Sequence, residues 1–172
     1  MSDVSGSPKI RFGLAAIKNV GTNVVKAIIE QRGHGGTYED IESFVMRVQN
    51  KDLNKKSLES LIKGGALDAL GERTMLLHNV DELLSYSRES QKTDAMGQDS
   101  LFGGDTELPP LRLKEITPAR KAEKLLWEKE LLGLFISSHP LVEYAPHLGY
   151  DKGVLTIAQL IENKKATSSR IS

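Results

Sequence analysis

The residues best suited to binding chemistry lie in the stretch IKNVGTNVV, residues 17–25, where a glycine separates two apolar runs. A helix that begins just after a tight turn presents backbone N–H groups that have no partner within the helix. Its dipole places partial positive charge behind those groups, so such a terminus can bind a phosphate. The spacing predicts two short helices joined by a hairpin here, carrying Phe12, Leu14, Ala15 and Ile17 before the turn, and Val24, Val25, Ile28 and Ile29 after it.

The side chains beside this turn suit the same chemistry. Gly21 allows close approach of the backbone or a positive φ angle, and Thr22 and Asn23 can donate to a phosphate oxygen. Lys18 and Lys26 add positive charge. We predict that amides from Val20 to Thr22 face a phosphate, and that the full contact set is Lys18, Asn19, Val20, Gly21, Thr22, Asn23 and Lys26.

Charge is distributed unevenly along the chain. Lys plus Arg and Asp plus Glu each number 23, so the net charge gives no long-range attraction to nucleic acid or membrane. Residues 9–33, however, contain five basic residues and one acidic residue, and residues 47–63 contain five basic and two acidic residues. The opposing interpretation is that the glycine merely ends a helix and that the lysines form a solvated face of a small bundle.

The helix, glycine turn, helix pattern occurs twice. Residues 33–36 are expected to stop the second helix, and Thr37 to cap a third over residues 38–47. Glycines 64 and 65 break the next apolar stripe, and a long amphipathic stretch follows Gly71. The stripe consists of Leu58, Leu61 and Ile62, and the later stretch carries Met75, Leu76, Val80, Leu83 and Leu84.

The second half of the sequence begins with a change in composition. Residues 91–116 are rich in Gln, Asp, Gly, Thr and Pro and predict a surface linker. A helix is expected to start at Thr117–Pro118 and to end at Gly133. We therefore predict a mainly α fold: a tandem helix-hairpin-helix bundle over 9–90, a linker over 91–116, and a helix with a connection to a further domain over 117–172.

Catalytic and metal-binding patterns are missing from the sequence. It has no cysteine, which fits a reducing cytoplasm, and its four histidines lack metal-ligand spacing. The acidic pairs Glu39–Asp40 and Asp81–Glu82 are interpreted as structural, and neither glycine run ends in Gly-Lys-Ser/Thr. No apolar run approaches the length of a membrane span, and neither a secretory leader nor a closing element is recognised at the ends. We expect a piece of a longer cytoplasmic protein, with no catalytic residue, metal or cofactor in this part.

Four motifs together carry a resemblance. In order and spacing, IRFGLAAIKNVG, NKKSLESLIKGGALDALG, QDSLFG and EKELLGLFISSHPL resemble the region after the fingers of bacterial replicative DNA polymerase III alpha subunits. The resemblance implies a tandem helix-hairpin-helix domain that holds duplex DNA, a sliding-clamp-binding motif, and the approach to an oligonucleotide-binding fold. It also implies that the parent chain is a DNA-directed DNA polymerase, a nucleotidyltransferase that needs Mg²⁺.

The clamp motif of this family resembles Gln-x-x-Leu/Met-Phe, which Gln98, Leu101 and Phe102 match. The resemblance implies that Gln98 hydrogen-bonds at the mouth of a clamp pocket while the two apolar side chains fill it. Asp99 stands where many clamp ligands carry a neutral residue, which favours a weaker ligand. The alternative is a linker whose Leu101 and Phe102 fold back onto the chain's own helices.

The leading hypothesis is a non-catalytic polymerase segment that binds duplex DNA without sequence specificity and tethers the sliding clamp. A helical protein-interaction module that packs other domains and does not touch DNA is the alternative. A structure-specific nuclease or repair protein is a third, disfavoured because no paired carboxylates lie on adjoining elements. The turn KGGALDALG of the second hairpin is longer and contains Asp68, so packing against the first hairpin is open beside DNA contact.

Overall fold

A computed structural model describes residues 12–48, 53–97, 109–144 and 157–161, with side chains of 93–97 excepted. Every regular element in those ranges is helical, which confirms the mainly α fold. The chain forms two compact units, Met1–Ile136 and Ser137–Ser172. No helix within the described ranges is long and apolar enough to cross a membrane. Within residues 12–144 the elements are a 3-10 turn at Leu14–Ala16, α1 (Thr22–Gly35), α2 (Ile41–Arg47), α3 (Lys55–Lys63), α4 (Arg73–His78), α5 (Val80–Gly97), α6 (Lys121–Leu132) and a 3-10 turn at Pro140–Tyr144. Residues 157–161 are also helical.

The hairpin's first helix is shorter than the periodicity suggested. It is a single 3-10 turn in which the Ile17 N–H donates to the Leu14 carbonyl at 3.1 Å. Helix α1, in contrast, passes through Gly33 and ends only at Gly36, whose φ is 74°. The glycine-rich run 33–36 therefore ends the helix as expected, and the Arg47 guanidinium, projecting from α2, binds the Gln31 and Gly36 carbonyls there.

Helix α2 starts at a different cap from the expected one. Asp40, not Thr37, is the N-cap, and its Oδ1 accepts from the Ser43 N–H at 2.7 Å. Tyr38 stands outside the helix, where its hydroxyl donates to the Ile28 carbonyl at 2.8 Å and its ring meets the Phe44 ring edge to face. The Asp40 carboxylate therefore caps α2, and Tyr38 fixes the corner between α1 and α2.

Helix α3 follows its sequence pattern closely. Asn54 caps it, and Leu58, Leu61 and Ile62 are completely buried in the core. Gly64 and Gly65 end it as expected, with Gly65 at φ 78°. The glycine break and the inward stripe are both confirmed.

The long amphipathic stretch after Gly71 is two helices rather than one. The break lies at Asn79, whose side-chain amide donates to the Met75 carbonyl at 2.7 Å and to the Lys114 carbonyl at 3.0 Å. The Asn79 side-chain oxygen accepts from the Lys114 N–H at 3.0 Å. The buried Asn79 thus ends α4 and holds an extended segment from later in the chain.

That extended segment, residues 109–120, is called the strap here. Leu111 and Leu113 pack against the core, and the Leu111 N–H donates to a Glu42 oxygen at 3.3 Å. The strap continues through Thr117, so the helix start expected there is wrong; α6 begins at Lys121, and its end at Gly133 is confirmed by a left-handed C-cap. Along α6, Leu125 is buried and Leu126 is exposed.

We predict a pH dependence of stability from Tyr86, which donates to Glu42 Oε1 at 2.7 Å. Burial, helped by the hydrogen bond to Glu42 and its charge, raises the pKa of Tyr86 from 10.0 to about 12. The folded chain holds this proton more tightly than the unfolded chain, so the contribution is complete below pH 10 and is lost as pH rises through about 12.

The measurement is the free energy of unfolding in urea across that pH range for the wild type and for Tyr86→Phe. The difference between the two should shrink at high pH. A constant difference would contradict the assignment, and the Phe variant controls for the titration of lysines, which both chains share.

Candidate nucleic-acid interface

The first hairpin is built on two buried apolar side chains. Ile17 and Val20 point into the core, and the Val20 N–H donates to the Ile17 carbonyl at 3.2 Å. Asn19 between them has φ 66°, a left-handed conformation that asparagine tolerates better than most residues. The chain therefore reverses at Asn19, with its apolar side inward and its backbone outward.

The start of α1 has no side-chain cap. Gly21 is the N-cap residue at φ −74°, and the first helical bond runs from the Val25 N–H to the Gly21 carbonyl. Within the described ranges, the N–H groups of Gly21 and Thr22 have no hydrogen-bond partner, and both residues are exposed. A Cβ added at Gly21 would meet nothing within 4 Å. This glycine is therefore not required by a positive φ; it leaves open space before two amides.

The structure brings most of the predicted contact residues to one exposed turn. Lys18, Gly21, Thr22, Asn23 and Lys26 are all exposed. Neither lysine forms an ion pair with any residue that the structure describes. The turn thus combines two available amides, a helix N-terminus and two ammonium groups.

Two of the predicted residues have structural roles instead. The Val20 side chain is buried and its amide is used inside the turn, so Val20 is removed from the set of phosphate-facing amides. The Asn19 side chain donates to Ser60 Oγ at 3.2 Å, which ties the hairpin to α3. Sequence reasoning missed this role because it depends on a contact 41 residues along the chain.

A second contact supports the hairpin from α6. The Lys18 N–H donates to the Leu131 carbonyl in the last turn of α6 at 3.1 Å. The Ile17 side chain packs beside Gly64, at van der Waals distance from the position that a Cβ would occupy on this glycine. Residues from α3, its glycine turn and α6 therefore all hold the back of the first hairpin.

The second hairpin, residues 64–71, has a different electrostatic character. Glu72 caps α4, its Oε2 accepting from the Thr74 N–H at 2.7 Å and the Met75 N–H at 3.1 Å. Burial alone would raise the pKa of Glu72, but the Lys124 ammonium at 2.8 Å and the two amides outweigh it and hold the pKa below its usual value. A protein carboxylate thus occupies the place at α4 that a phosphate would take.

The remaining candidate residues are accounted for structurally. Asp40 caps α2, Asp81 pairs with Lys55 at 2.8 Å, and His139 Nδ1 accepts from the Leu141 N–H at 3.2 Å in the turn of the second unit. Across the part of the chain that the structure describes, no three His, Asp or Glu side chains are grouped so that they could hold a metal ion. Gln98, Leu101 and Phe102 lie outside the described residues.

Comparison with known families places the hairpins in a class. Residues 2–76 match the family model of the helix-hairpin-helix motif. This range includes the first hairpin, the second hairpin and the connecting helix α2. The chain therefore carries a helix-hairpin-helix module.

Relatives identify the family more closely. DNA polymerase III subunit alpha of Thermus aquaticus is 40% identical over 136 residues, which are 79% of this chain and 11% of that protein. The same subunit of Pasteurella multocida is 34% identical over 168 residues, 95% of this chain and 14% of that protein. The resemblance to the DNA polymerase III alpha family is confirmed: this chain is related to a segment of these subunits and spans 11 to 14% of their length.

We predict that the conformation of Asn19 contributes to stability. Asn19→Ala removes the bond to Ser60 and places a Cβ-bearing residue without a local polar side chain at φ 66°, so it should destabilise the chain by about 1 to 2 kcal/mol. Asn19→Gly also loses the bond to Ser60, but glycine adopts the positive φ readily, so its free energy of unfolding should fall by less. Urea unfolding of the two variants measures the difference; equal losses would show that the left-handed turn is unimportant.

Proposed function

We propose that this chain is a non-catalytic segment of a bacterial replicative DNA polymerase that binds the backbone of duplex DNA. The observation that carries the proposal is the exposed, uncapped start of α1, where the Gly21 and Thr22 amides stand beside Lys18 and Lys26. The helix-hairpin-helix match and the polymerase relatives support the same function.

The binding chemistry is electrostatic and independent of sequence. A phosphate oxygen placed before Gly21 accepts from the two amides, and the dipole of α1 favours its negative charge. Lys18 and Lys26 add point charges that release counterions from the duplex. Because the turn offers backbone amides and ammonium groups, it contacts phosphates, which are the same at every base pair.

The proposal includes a tether to the sliding clamp through Gln98, Leu101 and Phe102. Its support is the sequence motif, which follows the helical module and precedes the strap. Burial of Leu101 and Phe102 in a clamp pocket is worth roughly 3 to 6 kcal/mol before ordering costs are subtracted. A weak peptide contact joined to a weak DNA contact gains around 10²- to 10⁴-fold in avidity.

The activity of the whole protein is part of the proposal. We infer that the parent chain is a DNA-directed DNA polymerase acting in DNA replication in the cytoplasm, with Mg²⁺ held outside this segment. The names of the relatives support the polymerase activity. A sequence without cysteine fits the reducing environment of the cytoplasm. This segment would bind the duplex DNA and would not carry out nucleotidyl transfer.

The alternative, a module that packs other domains and does not touch DNA, is favoured by one observation. Leu126 on α6 and Leu134 and Ile136 after it are exposed apolar side chains. Contact with other domains of the polymerase would cover these apolar side chains. Such packing is compatible with DNA binding, because the phosphate contact at Gly21 is polar and uses other residues. Salt dependence separates the hypotheses, because apolar packing responds little to salt.

We predict that Lys18→Glu combined with Lys26→Glu weakens duplex binding by roughly tenfold or more at low salt, equally for all DNA sequences. The slope of log affinity against log salt should fall by about 0.9 for each lost phosphate contact. Fluorescence anisotropy with labelled duplexes measures both. The matched control is Lys92→Glu with Lys121→Glu, two exposed lysines outside the hairpin. Equal effects of both pairs would argue against a hairpin contact.

We predict that Leu101→Ala with Phe102→Ala abolishes binding to the sliding clamp. The circular dichroism spectrum and the affinity for duplex DNA should not change, since these side chains fill a pocket on the partner. Titration of labelled chain with clamp provides the measurement, and Asp99→Ala is a matched control in the same motif that should retain binding. Clamp binding that survives the double substitution would place the tether elsewhere.

A further inference from the structure

Helix α6 contacts both hairpins through one buried face. Glu128 and Leu131 lie three residues apart on it, and both are buried. Glu128 Oε1 accepts from Nη2 of Arg73, the first residue of α4 after the second hairpin, at 3.1 Å. The Leu131 carbonyl accepts from the Lys18 N–H of the first hairpin at 3.1 Å. A single turn of helix thus joins the two hairpins.

Arg73 holds the second hairpin together before it reaches α6. Its Nε and Nη2 donate to the two Asp68 oxygens, each at 2.7 Å, and its Nη1 donates to the Lys63 carbonyl at the end of α3 at 3.1 Å. The guanidinium fills the space beside Gly65, where an added Cβ would overlap it. The Oε1 atom of Glu128 also accepts from this guanidinium, and its Oε2 atom accepts from the Ile136 N–H at 2.8 Å.

The second hairpin uses several of its amides within the fold. The N–H groups of Gly64, Gly65 and Ala66 all donate to carbonyls of α3, at 2.9, 3.0 and 3.0 Å. The Thr74 and Met75 amides in the first turn of α4 bind the Glu72 carboxylate. Where the first hairpin combines available amides with two lysines, the second places the Asp68 and Glu72 carboxylates, whose negative charge disfavours a phosphate.

We propose that the second hairpin is an anchor for α6 rather than a second phosphate contact, and that Glu128 is a positioning residue for DNA binding by the first hairpin. The inference rests on the proposed DNA contact at Gly21. Removing the charge of Glu128 leaves Arg73 buried and partly unpaired, so α6 shifts. The shift reaches the first hairpin at the bond between Leu131 and Lys18, next to the residues that face the phosphate.

The main experiment compares Glu128→Gln with Glu130→Gln in the 172-residue chain. Glu130 is exposed on the same helix, so the control makes the same charge change. For Glu128→Gln the dissociation constant for duplex DNA should rise about fivefold. The salt slope should stay unchanged, because no ammonium contact is removed. Hydrogen exchange of the Lys18 amide should become faster, and the control should change neither quantity. An unaltered affinity and exchange rate for Glu128→Gln would overturn the proposal.

Two further variants test the rest of the proposal. Asp68→Asn weakens the hold on Arg73 from its half-exposed side and should produce a smaller change in the same direction, even if Glu128→Gln folds poorly. Lys63→Gln, at the end of α3 directly before the second hairpin, should leave the salt slope unchanged. A slope reduced by about 0.9 would show a phosphate contact there and overturn the anchor role.

A failure of the proposed DNA contact gives a different experimental result from a failure of the anchor role. If the wild-type chain does not bind duplex DNA at any salt concentration, the DNA contact at Gly21 is wrong. The exchange rate of the Lys18 amide still reports on the link through α6, and faster exchange in Glu128→Gln alone would then support the anchor without the DNA contact.

Discussion

Burial of Ile17 and Val20 is the constraint on which the first hairpin depends. Because these side chains are held in the core, the chain between them must reverse within a few residues, and it does so at Asn19 with a positive φ. The reversal turns the next backbone groups outward at Gly21 and Thr22. Hydrophobic packing on one side of the turn thus creates the polar surface on the other.

The sequence anticipated the features that depend on local periodicity. The stripe Leu58, Leu61, Ile62 is buried, glycines end α3 and α6, and the basic side chains at 18 and 26 are exposed. These outcomes follow from apolar spacing and from the few conformations that end a helix. Local rules were sufficient at these positions.

The errors occurred where a distant side chain decides the outcome. Helix α4 ends at Asn79 because that side chain also bonds the strap at Lys114. In the site, the roles of Asn19 and Glu72 depend on Ser60 and Lys124, respectively. Residue types alone do not indicate such pairings.

The double hydrogen bond between Asn79 and Lys114 has a mechanical consequence. Both the N–H and the carbonyl of Lys114 are attached to one buried side chain at the junction of α4 and α5. A tensile force that enters the chain before residue 109 meets this attachment, and the contact of Leu111 with Glu42, before it reaches α6. These hydrogen bonds therefore fasten the strap to the helical core ahead of α6, whose Leu131 carbonyl holds the first hairpin.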